Sequence, residues 1–153
     1  MKRIRFMLFA LLAMLYATNA SALIVGNKIT RDGLTYEVTY MDVAHDGLPA
    51  RYEAKFVSSN LSGALTIPST VMDENNQYTF NVTAIDANST VPNATSVSIP
   101  NSVTTINANA FKGNNITSIT IPATVTDIKD GAFSQMKGLT SINVCLLYTS
   151  DAA

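Results

Sequence analysis

The sequence predicts a β-rich solenoid of short parallel strands stacked in coils, preceded by a small antiparallel β module. The phrase SIPNSVTTINANAF over residues 98–111 recurs 22 residues later as TIPATVTDIKDGAF over residues 120–133. Apolar positions persist between the copies while polar positions drift, as in stacked repeats. Upstream of the repeats, two segments alternate apolar and polar residues with period two, which is typical of half-buried strands.

The first 22 residues have the pattern of a secretion signal. Positive charge at Lys2, Arg3 and Arg5 precedes an apolar run of about a dozen residues, and an Ala-Ser-Ala sequence that fits cleavage ends at Ala22. A membrane span needs roughly 20 apolar residues, so an anchor explains this segment less well. We predict a signal peptide over residues 1–22 and a secreted or cell-surface protein with no membrane span once that peptide is removed.

Composition limits the classes of function. The formal net charge is −1 and 14% of the residues are charged, so the chain has no electrostatic reason to bind nucleic acid. Cys145 is the only cysteine, so an exported fold has no internal disulfide to stabilise it. The length suits one domain, whose stability must come from packing.

An N-terminal cap module is expected over residues 23–64. Residues 35–40 and 51–57 alternate as half-buried strands, beside turn signals at Asp32-Gly33 and Asp46-Gly47. Two such strands form a small antiparallel β unit. The side chains expected to share an inward face are Tyr36, Val38 and Tyr40 in the first strand, and Tyr52, Ala54 and Phe56 in the second.

About three repeats, the last incomplete, are expected over residues 65–144. The first copy, LTIPSTV, begins at Leu65 and continues at residues 81–85 after a polar turn over residues 73–77. A further copy begins at Leu139. This spacing predicts one coil of the solenoid for each copy.

Stacking is the expected source of stability. In the second copy, Val97 and Ile99 face one way because side chains alternate along a strand. So short a strand cannot bury that apolar side alone, whereas neighbouring coils bury it in a continuous column. We expect the same column to bury Phe111 and Phe133. Burial should stabilise the fold by roughly 1.5–3 kcal/mol for each ring, relative to leaving the ring exposed.

The repeated positions resemble those of a known family. They are Ile99-Pro100, Val103, Ile106 and Ala110-Phe111 in one copy, Ile121-Pro122, Val125, Ile128 and Gly131-Ala132-Phe133 in the next, and Leu139 to Ile142 in the last. This pattern resembles the BspA-like, or Treponema-type, leucine-rich repeats of surface proteins from Bacteroidetes and other host-associated microbes. The resemblance covers residues 32–144. It implies a leucine-rich-repeat solenoid that is not an enzyme and that acts in adhesion or protein binding.

Two parts of the chain depart from this pattern. Ser89–Val91 stands where an Ala-Phe pair is expected, so we expect the first repeat to pack loosely there. Residues 145–153, CLLYTSDAA, break the pattern and supply no cap. Because this tail resembles translated sequencing-adapter sequence, we interpret it as non-native and expect the gene product to be truncated.

Residues able to support chemistry are few. His45, the only histidine, lies between Asp42 and Asp46, but no third ligand accompanies them, and a solvated loop histidine is favoured. Residues 73–76, Asp-Glu-Asn-Asn, offer oxygen atoms but lack the spacing of a calcium loop, so a solvated turn is favoured. We therefore predict no catalytic residues, no cofactor and no metal site.

A candidate protein-binding face lies on the outward side of the repeat strands. It is a row of small polar side chains, here called the polar ladder: Thr66, Ser96, Ser98, Ser118, Thr120, Ser141 and Asn143. Repeat proteins commonly bind partners on such extended faces.

The expected partners are extracellular or host proteins. The protein is expected to be a monomer apart from association through the open end of the repeats. Two alternatives remain: an accessory repeat module of a larger secreted enzyme, and a structural component of the cell envelope without a dedicated ligand.

Overall fold

The computed structural model describes residues 24–44, 47 and 49–145. The predicted signal peptide, the loop residues His45 and Asp46, and the tail from residue 146 onward lie outside the described residues. Within the described ranges, no helix has the length and apolar character needed to cross a membrane.

Strands form two sheets. A mixed sheet has the order β1-β2-β3-β6-β8-β10, with β5 also paired to β6, and a parallel sheet has the order β11-β9-β7-β4. The strands are β1 (Lys28–Arg31), β2 (Leu34–Asp42), β3 (Arg51–Ser59), β4 (Gly63–Thr66), β5 (Thr70–Met72), β6 (Thr79–Thr90), β7 (Ala94–Ser98), β8 (Thr105–Ile106), β9 (Ser118–Ile121), β10 (Asp127–Ile128) and β11 (Ser141–Val144).

The N-terminal strands are antiparallel, as predicted. β2 pairs with β3, and β1 pairs with β2 through a two-residue turn. Asp32 and Gly33 in this turn have φ values of 51° and 79°, and positive φ at both positions is what a type I′ hairpin requires. The sequence pattern did not predict β1, which has a single buried apolar residue, Ile29.

One side chain of β2 departs from the predicted alternation. Tyr36 and Val38 are buried, but Tyr40 is 41% exposed. The register with β3 shifts between Val38 and Tyr40, and the extra residue of such a bulge turns the next side chain to the other face. The ring of Tyr40 instead lies beneath the guanidinium group of Arg51, 5.0 Å from its centroid.

Successive coils stack with residues 22 positions apart in register, as predicted. In the parallel sheet Val97 pairs with Ile119, and in the mixed sheet Ile106 pairs with Ile128. From β4 onward the chain alternates between the two sheets: β4, β7, β9 and β11 lie in the parallel sheet, and β5, β6, β8 and β10 lie in the mixed sheet. Apolar side chains from both sheets fill the space between them, so the core is a column that runs along the solenoid.

The aromatic positions of the repeat stack directly. The rings of Phe111 and Phe133 are nearly parallel, at 7°, with centroids 5.9 Å apart. Phe111 is fully buried, whereas Phe133 is partly buried because no aromatic ring of a further coil follows it within the described residues. The apolar column is therefore closed on both sides of Phe111 and covered on only one side of Phe133.

The first repeat is well packed where we expected it to be loose. Ser89 and Val91 are both buried, and the Ser89 hydroxyl donates a hydrogen bond to the Ala110 carbonyl oxygen at 2.5 Å. The Asn114 side chain accepts from the Val91 amide at 3.0 Å and donates to the Ser89 carbonyl at 3.3 Å. Polar contacts between coils thus take the place of the missing Ala-Phe pair.

A left-handed residue recurs in each coil. Asn88, Asn109 and Gly131 have φ values of 56°, 56° and 68°, a conformation that asparagine and glycine adopt more readily than other residues. A Cβ atom on Gly131 would lie 2.7 Å from Oδ1 of Asn109, which is closer than real contacts allow. Glycine suits this turn, as asparagine does in the other two coils, and it leaves room for the Asn109 side chain of the previous coil.

The cap module and the coils share the mixed sheet through β3 and β6, which are parallel. Lys55 on β3 bridges Asp86 on β6 at 3.0 Å and Glu37 on β2 at 3.1 Å. Burial lowers the pKa of the Lys55 ammonium group, but hydrogen bonds and attraction to the two carboxylates outweigh it, so its pKa lies above the usual value. The two predicted units, residues 23–64 and 65–144, are joined by continuous backbone pairing.

We expect Phe111→Ala to lower the free energy of unfolding by about 3–5 kcal/mol, because a buried ring leaves a cavity that its neighbours fill only in part. Phe133→Ala is the matched control, and its loss should be about half as large, since that ring is already partly exposed. Urea denaturation followed by circular dichroism measures both. Equal losses would contradict the closed column around Phe111.

Candidate binding surface

The polar ladder occupies the outward side of the parallel sheet. Backbone pairing arranges it in two rows: Thr66, Ser98, Thr120 and Asn143 in one, and Ser96, Ser118 and Ser141 in the other. Adjacent strands lie about 4.8 Å apart, so neighbouring side chains of a row are within reach of one bound chain. The structure brings all seven predicted residues together, and their role in binding stays a prediction.

Burial alternates along each of these strands. In β7, Val97 is 2% exposed while Ser96 and Ser98 on either side are half-buried. In β9, Ile119 and Ile121 are buried while Ser118 and Thr120 are half-buried. The small polar groups are therefore partly shielded by their neighbours, and the backbone that carries them is held by the core beneath.

No side chain of the polar ladder is engaged in a hydrogen bond with another described residue. The surface also carries no charged residue at any of its seven positions. Its hydroxyl and amide groups are thus donors and acceptors that only water or a partner satisfies, and the surface is suited to a neutral, hydrogen-bonding partner.

Other hydroxyl and amide side chains of the repeats are hydrogen-bonded within the fold. They donate to main-chain carbonyl groups of the preceding coil, as Thr124 does to Val103 at 3.0 Å and Asn107 to Ile85 at 2.8 Å. The others that do so are Ser102, Thr104, Thr117, Thr126 and Thr140. Composition alone did not separate these structural groups from the polar ladder, although the 22-residue recurrence of Ser or Thr in turns is a usable signal.

The acidic turn is exposed at Glu74, Asn75 and Asn76, as expected, but not at Asp73. Asp73 is fully buried, and its carboxylate accepts hydrogen bonds from the amides of Gln77 and Tyr78, each at 2.7 Å, and of Asn75 at 3.3 Å. A carboxylate caps a turn in this way because it satisfies several otherwise unpaired amides. The oxygen atoms of Asp73 are used within the fold.

The other residues considered for chemistry do not form a site in the part of the chain described. His45 and Asp46 lie outside the described residues, and Asp42 accepts a hydrogen bond from the Tyr40 hydroxyl at 3.5 Å. Cys145 is a free, exposed thiol at the end of the described chain. Among the described residues, no group of three histidine, cysteine or acidic side chains is placed to hold a metal ion.

Comparison with known proteins agrees with the coil architecture. Residues 86–150 match the family model described as a BspA type leucine rich repeat region of six copies. No curated protein matches the sequence significantly.

Among solved structures, the pneumococcal vaccine antigen PcpA is similar, with a TM-score of 0.53 and 17% identity over 80% of this chain and 39% of the PcpA chain. A leucine-rich repeat protein from Bacteroides capillosus gives a TM-score of 0.43 and 22% identity, over 77% of this chain and 65% of that one. A leucine rich cell surface protein from Faecalibacterium prausnitzii gives a TM-score of 0.44 and 17% identity, over 82% and 44%. This chain spans less than two thirds of each of these proteins.

Thr124→Val is expected to lower the free energy of unfolding by about 1 kcal/mol, because it removes a hydrogen bond between coils and leaves a carbonyl group unpaired. Thr120→Val removes a ladder hydroxyl of similar burial, and we expect a change within about 0.5 kcal/mol. Chemical denaturation of the two variants makes the comparison. A ladder variant as destabilised as Thr124→Val would show that the ladder hydroxyls are structural.

Proposed function

We propose that this chain, which carries BspA-type leucine-rich repeats over residues 86–150, is a protein-binding module that acts in adhesion outside the cell. The observation that carries the proposal is the polar ladder: seven regularly spaced polar side chains on a rigid sheet, none of them hydrogen-bonded within the described chain.

The chemistry of the ladder favours a protein partner. Hydroxyl and amide groups at strand spacing match the alternating donors and acceptors of a polypeptide surface. Because none of the seven positions is charged, the surface has little attraction for polyanions such as nucleic acid. Because the sheet is held by the core beneath it, binding requires little ordering of the backbone, which favours affinity.

A location outside the cell agrees with the predicted signal peptide and with the surface location that the BspA-like resemblance implies. Binding rather than catalysis agrees with the roles of Lys55 and Asp73, whose charged groups serve in ion pairs and in a turn of the fold. Host matrix proteins and the surfaces of other bacteria are the partners we propose to test first.

The test uses a variant that adds charge to the ladder. We expect the chain to bind at least one purified extracellular matrix protein, or intact bacterial cells, in a saturable manner by surface plasmon resonance or cell adhesion. The double variant Ser98→Glu/Thr120→Glu should weaken that binding at least about tenfold, because two carboxylates would be desolvated in the centre of the interface.

The matched control is Gln77→Glu/Asn115→Glu, which adds the same charge at exposed turn positions away from the ladder. It should bind like the unmodified chain. Absence of saturable binding across the panel, or equal weakening in both double variants, would contradict the proposal.

A further inference from the structure

A cleft of about 420 Å³ lies beside β4, the strand at the N-terminal end of the parallel sheet. Its walls include Arg31, Asp32 and Tyr36 from the β1–β2 hairpin, Thr66 at the end of β4, and Thr70 and Val71 from β5. The volume is within the range of ordinary ligand sites. Leu34, Tyr36 and Val71 are buried and provide apolar surface, while the charged and hydroxyl groups provide polar surface.

One polar group in this wall has no partner. Tyr36 is 1% exposed, and its hydroxyl is buried without a hydrogen bond to any described residue. Burial, and to a lesser degree the charge of Asp32, raises the pKa of this hydroxyl far above its usual value, so it stays protonated and can donate. Buried polar groups nearly always have a partner. Because this hydroxyl has almost no accessible surface, the wall of the cleft must shift for a ligand to supply an acceptor, and pairing the hydroxyl favours that shift.

The cleft is bordered by strands with a free edge. Within the described chain, β1 pairs only with β2, β4 only with β7, and β5 only with β6. Each therefore has backbone groups on one side that no strand satisfies, and such edges are templates for pairing with another chain. Residues of all three strands line the cleft, and an extended peptide is the kind of ligand whose backbone pairs with such an edge.

The orientation of β4 indicates which groups are available. The amides of Gly63 and Ile67 donate towards β7, to Asn93 and Ser98 at 3.1 Å each. Because backbone groups alternate sides along a strand, the amides of Ala64 and Thr66 point away from β7 to the open edge. Thr66 is both a cleft residue and an exposed one, so this edge is accessible.

The charges at the cleft balance. Arg31 donates to Oδ1 of Asn76 at 2.8 Å and to the Asp73 carbonyl at 3.3 Å, and Asp32 supplies a carboxylate beside it. A site with one group of each sign favours a neutral occupant with both donors and acceptors over an ion of either sign. A peptide backbone has this character.

We propose that the cleft binds an extended polypeptide segment, which adds as a strand to the open edge of β4 and places a hydrogen-bond acceptor against the Tyr36 hydroxyl. The inference rests on the proposed function because it takes a protein as the partner. It places that partner on a second surface, which shares only Thr66 with the polar ladder. Main-chain pairing provides affinity in this mode of recognition, and the cleft selects the side chain.

The test selects ligands from a display library of random heptapeptides with the full chain as bait, followed by fluorescence anisotropy with a synthetic selected peptide. Thr66→Pro removes the amide at the open edge and should weaken binding about tenfold, whereas Thr66→Ala keeps the amide and should stay within about twofold. Tyr36→Phe should weaken binding about fivefold. N-methylation of the peptide amides that face β4 should abolish binding. N-methylation of the amides between them, which face away from β4, should leave binding unchanged.

Circular dichroism establishes that each variant is folded, and if Thr66→Pro is not, Tyr36→Phe and the methylated peptides decide. The proposal is overturned if no peptide binds, if binding is indifferent to Thr66→Pro and Tyr36→Phe, or if the saccharide chitohexaose binds more tightly than any peptide. The ladder variant Ser98→Glu/Thr120→Glu should retain the peptide. Loss of the peptide in that variant alone would assign it to the ladder, which overturns the cleft and leaves the proposed function in place.

Discussion

The alignment of equivalent positions in successive coils, 21 to 23 residues apart from β6 onward, is the constraint on which the structure depends. The same alignment produces the backbone pairing in both sheets and the contacts of the apolar column, because Val97 and Ile119 are at once paired residues and packed neighbours. A shift of one residue would turn apolar side chains outward along the whole strand. Backbone and core therefore fix one register together, which is why strands of only two to five residues suffice from β7 to β11.

This constraint divides the small polar residues into two groups. Those in the turns, such as Thr124, donate to the coil before them and replace hydrogen bonds that the short strands do not make. Those on the outward side of the parallel sheet, such as Thr120, are kept in place by the same register but have no partner in the described chain. The polar ladder therefore consists of polar side chains that are not hydrogen-bonded between the described coils.

The repeat and the period-two alternation predicted the coils, the antiparallel module and the residues of the polar ladder, since each depends on a local pattern. Features that depend on one inserted residue, on the geometry of a single turn or on distant segments were not predictable. Tyr40 faces outward because of a bulge that leaves no local mark in sequence, and Asp73 is buried because the following turn folds back onto its carboxylate. The cleft at Tyr36 joins segments that lie 30 or more residues apart, so no spacing rule identifies it.

The cleft exists because the two sheets end at different places near the cap module. The mixed sheet continues past the first coil, because β3 pairs with β6 and carries β2 and β1 beyond it, whereas the parallel sheet stops at β4. The cap module therefore covers the apolar column at this end without covering the edge of β4. At the other end of the described chain neither sheet continues, and Ile128, Ile142 and Val144 are about half exposed. A solenoid that closes its core with only one of its sheets leaves the edge of the other open, and that edge is where a partner strand has backbone groups to pair with.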